Sequence, residues 1–267
     1  MSISLKDLRK VRATLPPRIL IYGEPGVGKT SLSASFPSPV FLQIEDGTPA
    51  DVELVSFGKL DTFAQVMDAL ASLYQEPHDF KTLVLDSISE LQRLVFAETC
   101  NRGDDKGNKK NNIEDFGYGK GYVYAQRIWQ EILDGVNALR RDLGMTVILI
   151  AHSTIERFDD PENTSYNRWA IDLNGKSLGM IERDMDAIFL VKRGVTVKKE
   201  DQGFKKERAV ADGGSTVFIH TEGRAAFDAK NRYNLPPKIK FDKGQGYEAL
   251  APYLPGGAPE TSDQKAA

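Results

Sequence analysis

The feature that most constrains this chain is a short apolar run that ends in a glycine-rich loop. Arg18-Ile19-Leu20-Ile21-Tyr22 leads directly into Gly23-Glu24-Pro25-Gly26-Val27-Gly28-Lys29-Thr30, and Ser31 to Ser35 can start a helix. A strand, a tight loop and a helix in that order fit only a few layered architectures. Four further apolar runs follow: Val40 to Ile44, Thr82 to Asp86, Thr146 to Ala151 and Ala187 to Val191. Runs apolar at nearly every position suit strands buried on both faces, as in parallel sheets. Between them, Phe63, Val66, Met67, Leu70, Leu73 and Tyr74 fall on one helical face, as do Ile128, Ile132, Val136, Leu139 and Leu143, with Gly144 as a stop signal. The alternation predicts an α/β fold with a doubly wound, mostly parallel sheet.

The loop predicts a ligand. Gly23, Gly28, Lys29 and Thr30 fit the spacing G-x-x-x-x-G-K-[ST], and the strand and helix on either side supply its required setting. Glycines let backbone N–H groups curl around phosphate oxygens, and the start of the helix adds positive potential. The expected ligand is ATP with Mg²⁺, held by Gly23 to Thr30 and Ser31. Lys29 is expected on the β- and γ-phosphates and the Thr30 hydroxyl on the metal. Asp86 ends the third apolar run, at the edge where ligands bind in open α/β sheets. It either holds the metal through water or, like Ser87, caps the helix carrying Ile88, Leu91 and Leu94. Residue 87 is serine, so no second acid stands there. Glu45, on a strand expected beside the phosphate loop, is either the base that orients the attacking water or a solvated charge; Glu90 is a weaker candidate. His152 closes the fourth run, as a γ-phosphate sensor or a structural histidine.

Composition narrows the class. Lys and Arg number 35 against 38 Asp and Glu, a formal net charge of −3, so bulk charge announces no nucleic-acid partner and any such contact rests on local patches. Cys100 is the only cysteine, which excludes a disulfide framework within the chain. No apolar run is long enough for a membrane span and Met1 to Arg12 has no signal-peptide core, so a cytoplasmic protein without membrane contact is expected. The expected layout is a short N-terminal segment (1–17), a core (18–254) and a disordered tail (255–267). Strand-like pieces at Ser215 to His220, Ala225 to Lys230 and Lys238 to Phe241 predict an antiparallel C-terminal β extension. Asn101 to Gly121 and Ser153 to Gly179 read as long functional loops.

The set Gly23–Thr30, Glu45, Leu85-Asp86-Ser87, Ala151-His152-Ser153 and Ala229-Lys230-Asn231-Arg232 resembles the RecA-like P-loop NTPase core. It is most similar to phage single-strand-annealing ATPases, over about residues 15 to 245. The resemblance implies a DNA-dependent ATPase of phage recombination or replication in the bacterial host cytoplasm, with Glu45 as catalytic carboxylate and His152 as sensor. It implies a homo-oligomer, ring or filament, whose Lys230 and Arg232 enter a neighbour's nucleotide site. A single-strand-binding protein would fit as a further partner. The two long loops match the family's DNA-binding loops in position. Lys109, Lys110, Phe116, Tyr118 and Lys120 in the first, and Arg157 and Arg168 in the second, are the candidate contacts with single-stranded DNA. Lys198 and Lys199 join them from the basic stretch Lys192 to Arg208, read as a β-ribbon arm. Each charge is otherwise a solvated surface residue, and Lys230 and Arg232 otherwise sit on an edge strand. The chain before Arg18 is too short for the N-terminal domain of strand-exchange recombinases, so annealing is expected instead. The alternatives are a ring-forming helicase-type motor and a non-hydrolysing nucleotide-gated adaptor. A small-molecule kinase is the least expected reading, since it needs an Arg-rich lid and an acceptor pocket and the sequence shows neither.

Overall fold

In the computed structural model, described for Ser4 and for residues 15–50, 52–162, 164–201, 207–242 and 244–256, the apolar runs pair as one mixed sheet. Side chains of 195–201, 207–213 and 215 are likewise outside the description. The strands are β1 (Arg18–Gly23), β2 (Pro39–Gln43), β3 (Ser56–Lys59), β4 (Thr82–Asp86), β5 (Thr146–Phe158), β6 (Tyr166–Ile171), β7 (Ala187–Asp201), β8 (Glu207–His220), β9 (Lys230–Asn231) and β10 (Lys238–Phe241). Their order is β10-β8-β7-β1-β5-β4-β2-β3, with β6 on β5 and β9 on β7. From β7 to β3 the neighbours are parallel, whereas β8 and β10 add antiparallel. This is the expected α/β architecture with its antiparallel extension.

The helices are α1 (Lys29–Ala34), α2 (Phe63–Gln75), α3 (Ile88–Arg102), α4 (Lys120–Leu143), α5 (Gly175–Asp184) and α6 (Gly246–Leu250). They cover both faces, which is why the strands are apolar throughout. Leu20, Tyr22, Leu83, Leu85, Val147 and Leu149 pack towards α2 to α5; Ile19, Ile21, Val84, Ile148 and Ile150 pack towards α1 and α6. Alternate side chains of one strand thus serve two cores. Helix α4 buries Ile128, Trp129, Ile132, Leu133, Val136 and Leu139. Each such aliphatic side chain contributes about 1.5–3 kcal/mol. Tyr74, expected on the buried face of α2, is 48% exposed and donates to Asp142.

Several expectations are corrected. Ser153 to Gly179 is not a loop: β5 continues to Phe158, turns and returns antiparallel as β6 before α5. Its half-exposed polar alternation hid the hairpin. Ala225 to Lys230 is mainly a turn, with isolated bridges at Phe227 and a two-residue strand at Lys230–Asn231. The polar edge strand β3 carried no apolar signal. Strand β2 does not adjoin β1, because β5 and β4 stand between them. The backbone of Lys192 to Asp201 does pair antiparallel with β8 out to Glu207, as a β-ribbon. The side chains of Lys198 and Lys199, and nearly all of 1–14 and 257–267, lie outside the described residues.

At the amino edge of the sheet, Asp186 organises the charges. Its side chain is 8% exposed and accepts from Arg18, Arg140 and Arg232 at 3.0–3.3 Å. Breaking a buried ion-pair network from one side leaves its partners uncompensated. Asp186→Ala is expected to lower the unfolding free energy by about 3 kcal/mol, read as a reduced urea midpoint; a shift equivalent to under ~0.5 kcal/mol, the scale of an ordinary surface substitution, would contradict the network's role.

Candidate functional site

The parallel register places the ends of β1, β5 and β4 side by side at the carboxyl edge. Gly23 lies opposite His152, and Asp86 opposite Ile150. A Cβ on Gly23 would collide with the Val191 carbonyl oxygen of neighbouring β7, so the first loop glycine is demanded by backbone approach. Gly28 has φ of 103°, a left-handed value that an L side chain resists, and it turns the loop into α1. Val27 instead anchors the loop, 4% exposed in the core. Glu24 does not line the cavity described next, but its carbonyl, with that of Gly23, accepts from Lys29 Nζ at 3.0 and 2.8 Å.

A cavity of about 450 Å³ opens over this edge, lined by Pro25, Gly26, Gly28, Lys29, Thr30, Ser31, Glu45, Asp46, Gly47, Pro49, Asp86 and His152. Most of the sequence-derived phosphate, metal and catalytic candidates therefore share one chamber. Thr30 Oγ1 donates to Asp86 Oδ2 at 2.7 Å. Ser87, not Asp86, caps α3 by accepting from the Glu90 amide, which leaves the Asp86 carboxylate to face Thr30. The Asp86–Ser87 peptide bond is cis. Burial pushes the Asp86 carboxyl up, partly offset by the Thr30 bond. Burial also lowers the Lys29 ammonium, with Asp86, Glu45 and Glu24 opposing that shift.

Glu45 reaches the chamber although its strand is remote from β1. The Ile44 amide donates to the Asp86 carbonyl at 2.7 Å, extending the β2–β4 pairing by one residue and delivering Glu45 over the site. His152 Nε2 bonds both Glu45 oxygens at 3.0 and 3.1 Å. This bond, the largest influence, holds the Glu45 carboxyl below the usual range despite partial burial. His152 is itself fixed by its amide, which donates to Ser89 Oγ at 3.0 Å. Glu90 turns away to pair with Arg93.

The chamber's donor set fits a magnesium nucleotide. Among the described residues no cluster of three or more His, Cys, Asp or Glu could hold a metal unaided. A hydroxyl and one carboxylate beside a phosphate cradle suit a magnesium ion that keeps waters and phosphate oxygens as its other ligands. Sequence reasoning missed Asp46, Gly47 and Pro49 in the wall, and missed Ser89; the turn residues after Glu45 were the only signal.

The remaining candidates lie elsewhere. Lys230 donates to the Glu182 carbonyl and Arg232 pairs with Asp186, at the amino edge remote from their own chain's cavity. Lys109 donates to Asn101, Lys110 pairs with Asp104 over the Phe116 ring, and Phe116 stacks on Tyr124. Tyr118 is fully exposed, and Lys120 opens α4. Arg157 pairs with Asp159; Arg168 lies between Glu156 and Asp228 and over Phe158. Most of these cations thus already have partners within the chain.

The pattern of the AAA domain family matches residues 15–233. The chain belongs to that family of nucleotide-binding NTPases. It is also similar to the SPbeta prophage-derived uncharacterized protein YorG of Bacillus subtilis (strain 168), with 27% identity over 144 residues. That match covers 52% of this chain and 42% of the relative, so the chain spans under half the length of that protein. No helix among the described residues is long and apolar enough to cross a membrane.

The Glu45–His152 contact makes a pH prediction. Because His152 lowers the Glu45 carboxyl, the pair stabilises the fold above the ordinary glutamate range, and that contribution is lost as pH falls through the lowered value. His152→Ala is therefore expected to move the Glu45 titration to higher pH, followed by carbon-detected NMR of its carboxyl. An unmoved titration would show that the contact does not set the charge.

Proposed function

We propose that the protein is a magnesium-dependent ATPase that binds single-stranded DNA and promotes strand annealing in phage recombination or replication. The observation that carries the ATPase reading is the convergence of Lys29, the Thr30–Asp86 pair and the Glu45–His152 pair on one chamber. Lys29 and the loop amides would hold the β- and γ-phosphates. Thr30 would ligate Mg²⁺ directly and Asp86 would do so through water. Bound Mg²⁺ would neutralise charge on the phosphate oxygens. Glu45, kept ionised by His152, would accept a proton from the attacking water or orient it, and His152 would fix the carboxylate's direction. The DNA and annealing parts of this reading rest on the resemblance and on the prophage origin named for the relative.

The test is ATP turnover with and without oligothymidylate. We expect stimulation by DNA, and a fall of about 10²–10⁴-fold for Glu45→Gln with nucleotide binding retained. Glu45→Gln at wild-type turnover would overturn the base assignment. Turnover that does not respond to DNA would remove the recombination reading, and binding of nucleotide without turnover would favour the non-hydrolysing adaptor.

Lys230 and Arg232 would act in a neighbouring subunit, since the fold sets them at the edge opposite their own cavity. An arginine delivered in trans stabilises charge on the transferring phosphoryl group, worth roughly 10³–10⁵ in rate. Arg232→Ala is expected to bind nucleotide normally yet lose turnover, and mixing it with Lys29→Ala subunits should restore part of the activity. Full turnover by a verified monomer would refute the shared site.

A further inference from the structure

The antiparallel extension carries a cationic face that joins Lys192 of the basic stretch and Trp169 of the second long segment to residues of β8, β10 and the turn between them. The register sets Lys192 opposite Phe218 and Leu190 opposite His220 across β7 and β8, and sets Lys238 opposite His220 across β8 and β10. Residues directly opposite share a face, so Lys192, Phe218, His220 and Lys238 stand on the side whose inner part is Leu190. Leu190 packs into the core beneath α2 to α5, while Val191 and Ile219 serve the opposite core. Past Leu190 the helices no longer cover this face. Trp169 of β6 and the turn 221–228 flank it, joined by the Trp169 amide donating to the Ala226 carbonyl at 2.8 Å.

Cations and rings alternate across the surface. Lys192 Nζ lies 4.7 Å from the Trp169 ring centre, and Lys238 Nζ lies 3.7 Å from that of Phe218. Trp169 and Phe218 are partly exposed, and Lys238 and Arg224 are exposed. Among the described residues none of Lys192, Arg224 and Lys238 is in an ion pair. The nearby acids Asp228 and Asp242 are taken by Arg168 and Lys240, leaving exposed Glu222 as the remaining acid of the turn. The three cations converge on His220, which stacks edge-on against Phe227 at 5.0 Å. Burial, then Lys238, Arg224 and Lys192 push the His220 imidazole down to about 4, so it is neutral near pH 7 and adds an apolar edge.

We propose that this face, built from Trp169, Lys192, Phe218, Arg224 and Lys238, binds single-stranded nucleic acid. Among the described residues the three cations outnumber Glu222, the one acid of the turn left unpaired, and such a positive field is completed by an anion. Phosphates at Lys192, Arg224 and Lys238 draw the two ammonium groups off the rings they cover, and the uncovered faces of Trp169 and Phe218 stack on bases. Every base offers a π-face, so such binding tolerates sequence and requires unpaired bases. The loop cations Lys110 and Arg168, by contrast, are already held by carboxylates. The face also adjoins the nucleotide chamber through one element, since β6 pairs with the continuation of β5 just beyond His152. The placement rests on the single-strand-binding reading above but not on the loop residues offered for it.

The test uses the full chain, fluorescent oligothymidylate and anisotropy at several salt concentrations. For Lys192→Ala/Arg224→Ala/Lys238→Ala, we expect Kd to rise at least about tenfold and the log–log salt slope to flatten by about 2, three contacts at ~0.7 each. A Lys109→Ala/Lys110→Ala variant should change far less. Trp129 is 1% exposed, so quenching of intrinsic fluorescence on binding should come from Trp169 and vanish in the mild variant Trp169→Phe. Wild-type affinity and slope in the triple variant, or saturated binding with no quenching, overturns this surface while leaving the single-strand-binding reading intact. Wild-type protein that binds no oligonucleotide overturns both. Polyglutamate competing as well as oligothymidylate would assign the face to an acidic polypeptide and also overturn the proposal.

Discussion

The parallel pairing of β1 with β5, which sets Gly23 beside His152, is the contact on which the site depends. It inserts β5 between the strand that enters the phosphate loop and the strand that ends in Asp86. The gap so created is where His152 meets Glu45. Side chains alternate along a strand, so a slip of one residue would turn His152 away and bring Ala151 or Ser153 into its place. The apolar alternation of Val147 to Ala151 between two cores holds that register, so core packing and site geometry are one constraint.

Within the chamber, neighbouring residues divide roles that might have competed. Ser87 takes the helix cap, and Asp86 remains available to Thr30. Ser89 receives the His152 amide, and the ring of His152 is left to Glu45. Electrostatics differ at the two ends of the sheet. The carboxyl edge gathers acids around the buried ammonium of Lys29; the amino edge gathers arginines around the buried carboxylate of Asp186. Arg232 belongs to the second cluster, and its 53% exposed side chain still faces outward.

Charge counting along the chain does not show which cations folding pairs with carboxylates. Lys110 and Arg168 stand in basic or aromatic stretches, but folding pairs each with a carboxylate. Lys192 and Lys238 come from separate strands that the β7–β8–β10 register brings together, and Arg224 joins them from the turn after β8, where it bridges to Phe227. Surface pairs of the first kind contribute little to stability, yet they remove a charge from the protein's outward field.

The sequence by itself determined the α/β class, the phosphate loop and the identity of Lys29, Thr30, Asp86, Glu45 and His152 as candidates. Those readings need only local information: apolar runs of strand length, a loop whose glycines have steric reasons, and polar residues at strand ends. The tertiary structure alone decided how they meet. Strand order is a long-range outcome of crossover packing, and it set two strands between β1 and the strand leading to Glu45, while Ile44 still carried the carboxylate to the chamber. Ser153 to Gly179 proved to be a hairpin and a helix: its pairing is local but its half-exposed polar alternation hides it, and the contact of Trp169 with Phe227 is visible only in the fold. Side-chain pairing, which depends on distances across the fold, separated Lys29 and Glu45 in the chamber from Lys230 and Arg232 at the opposite edge.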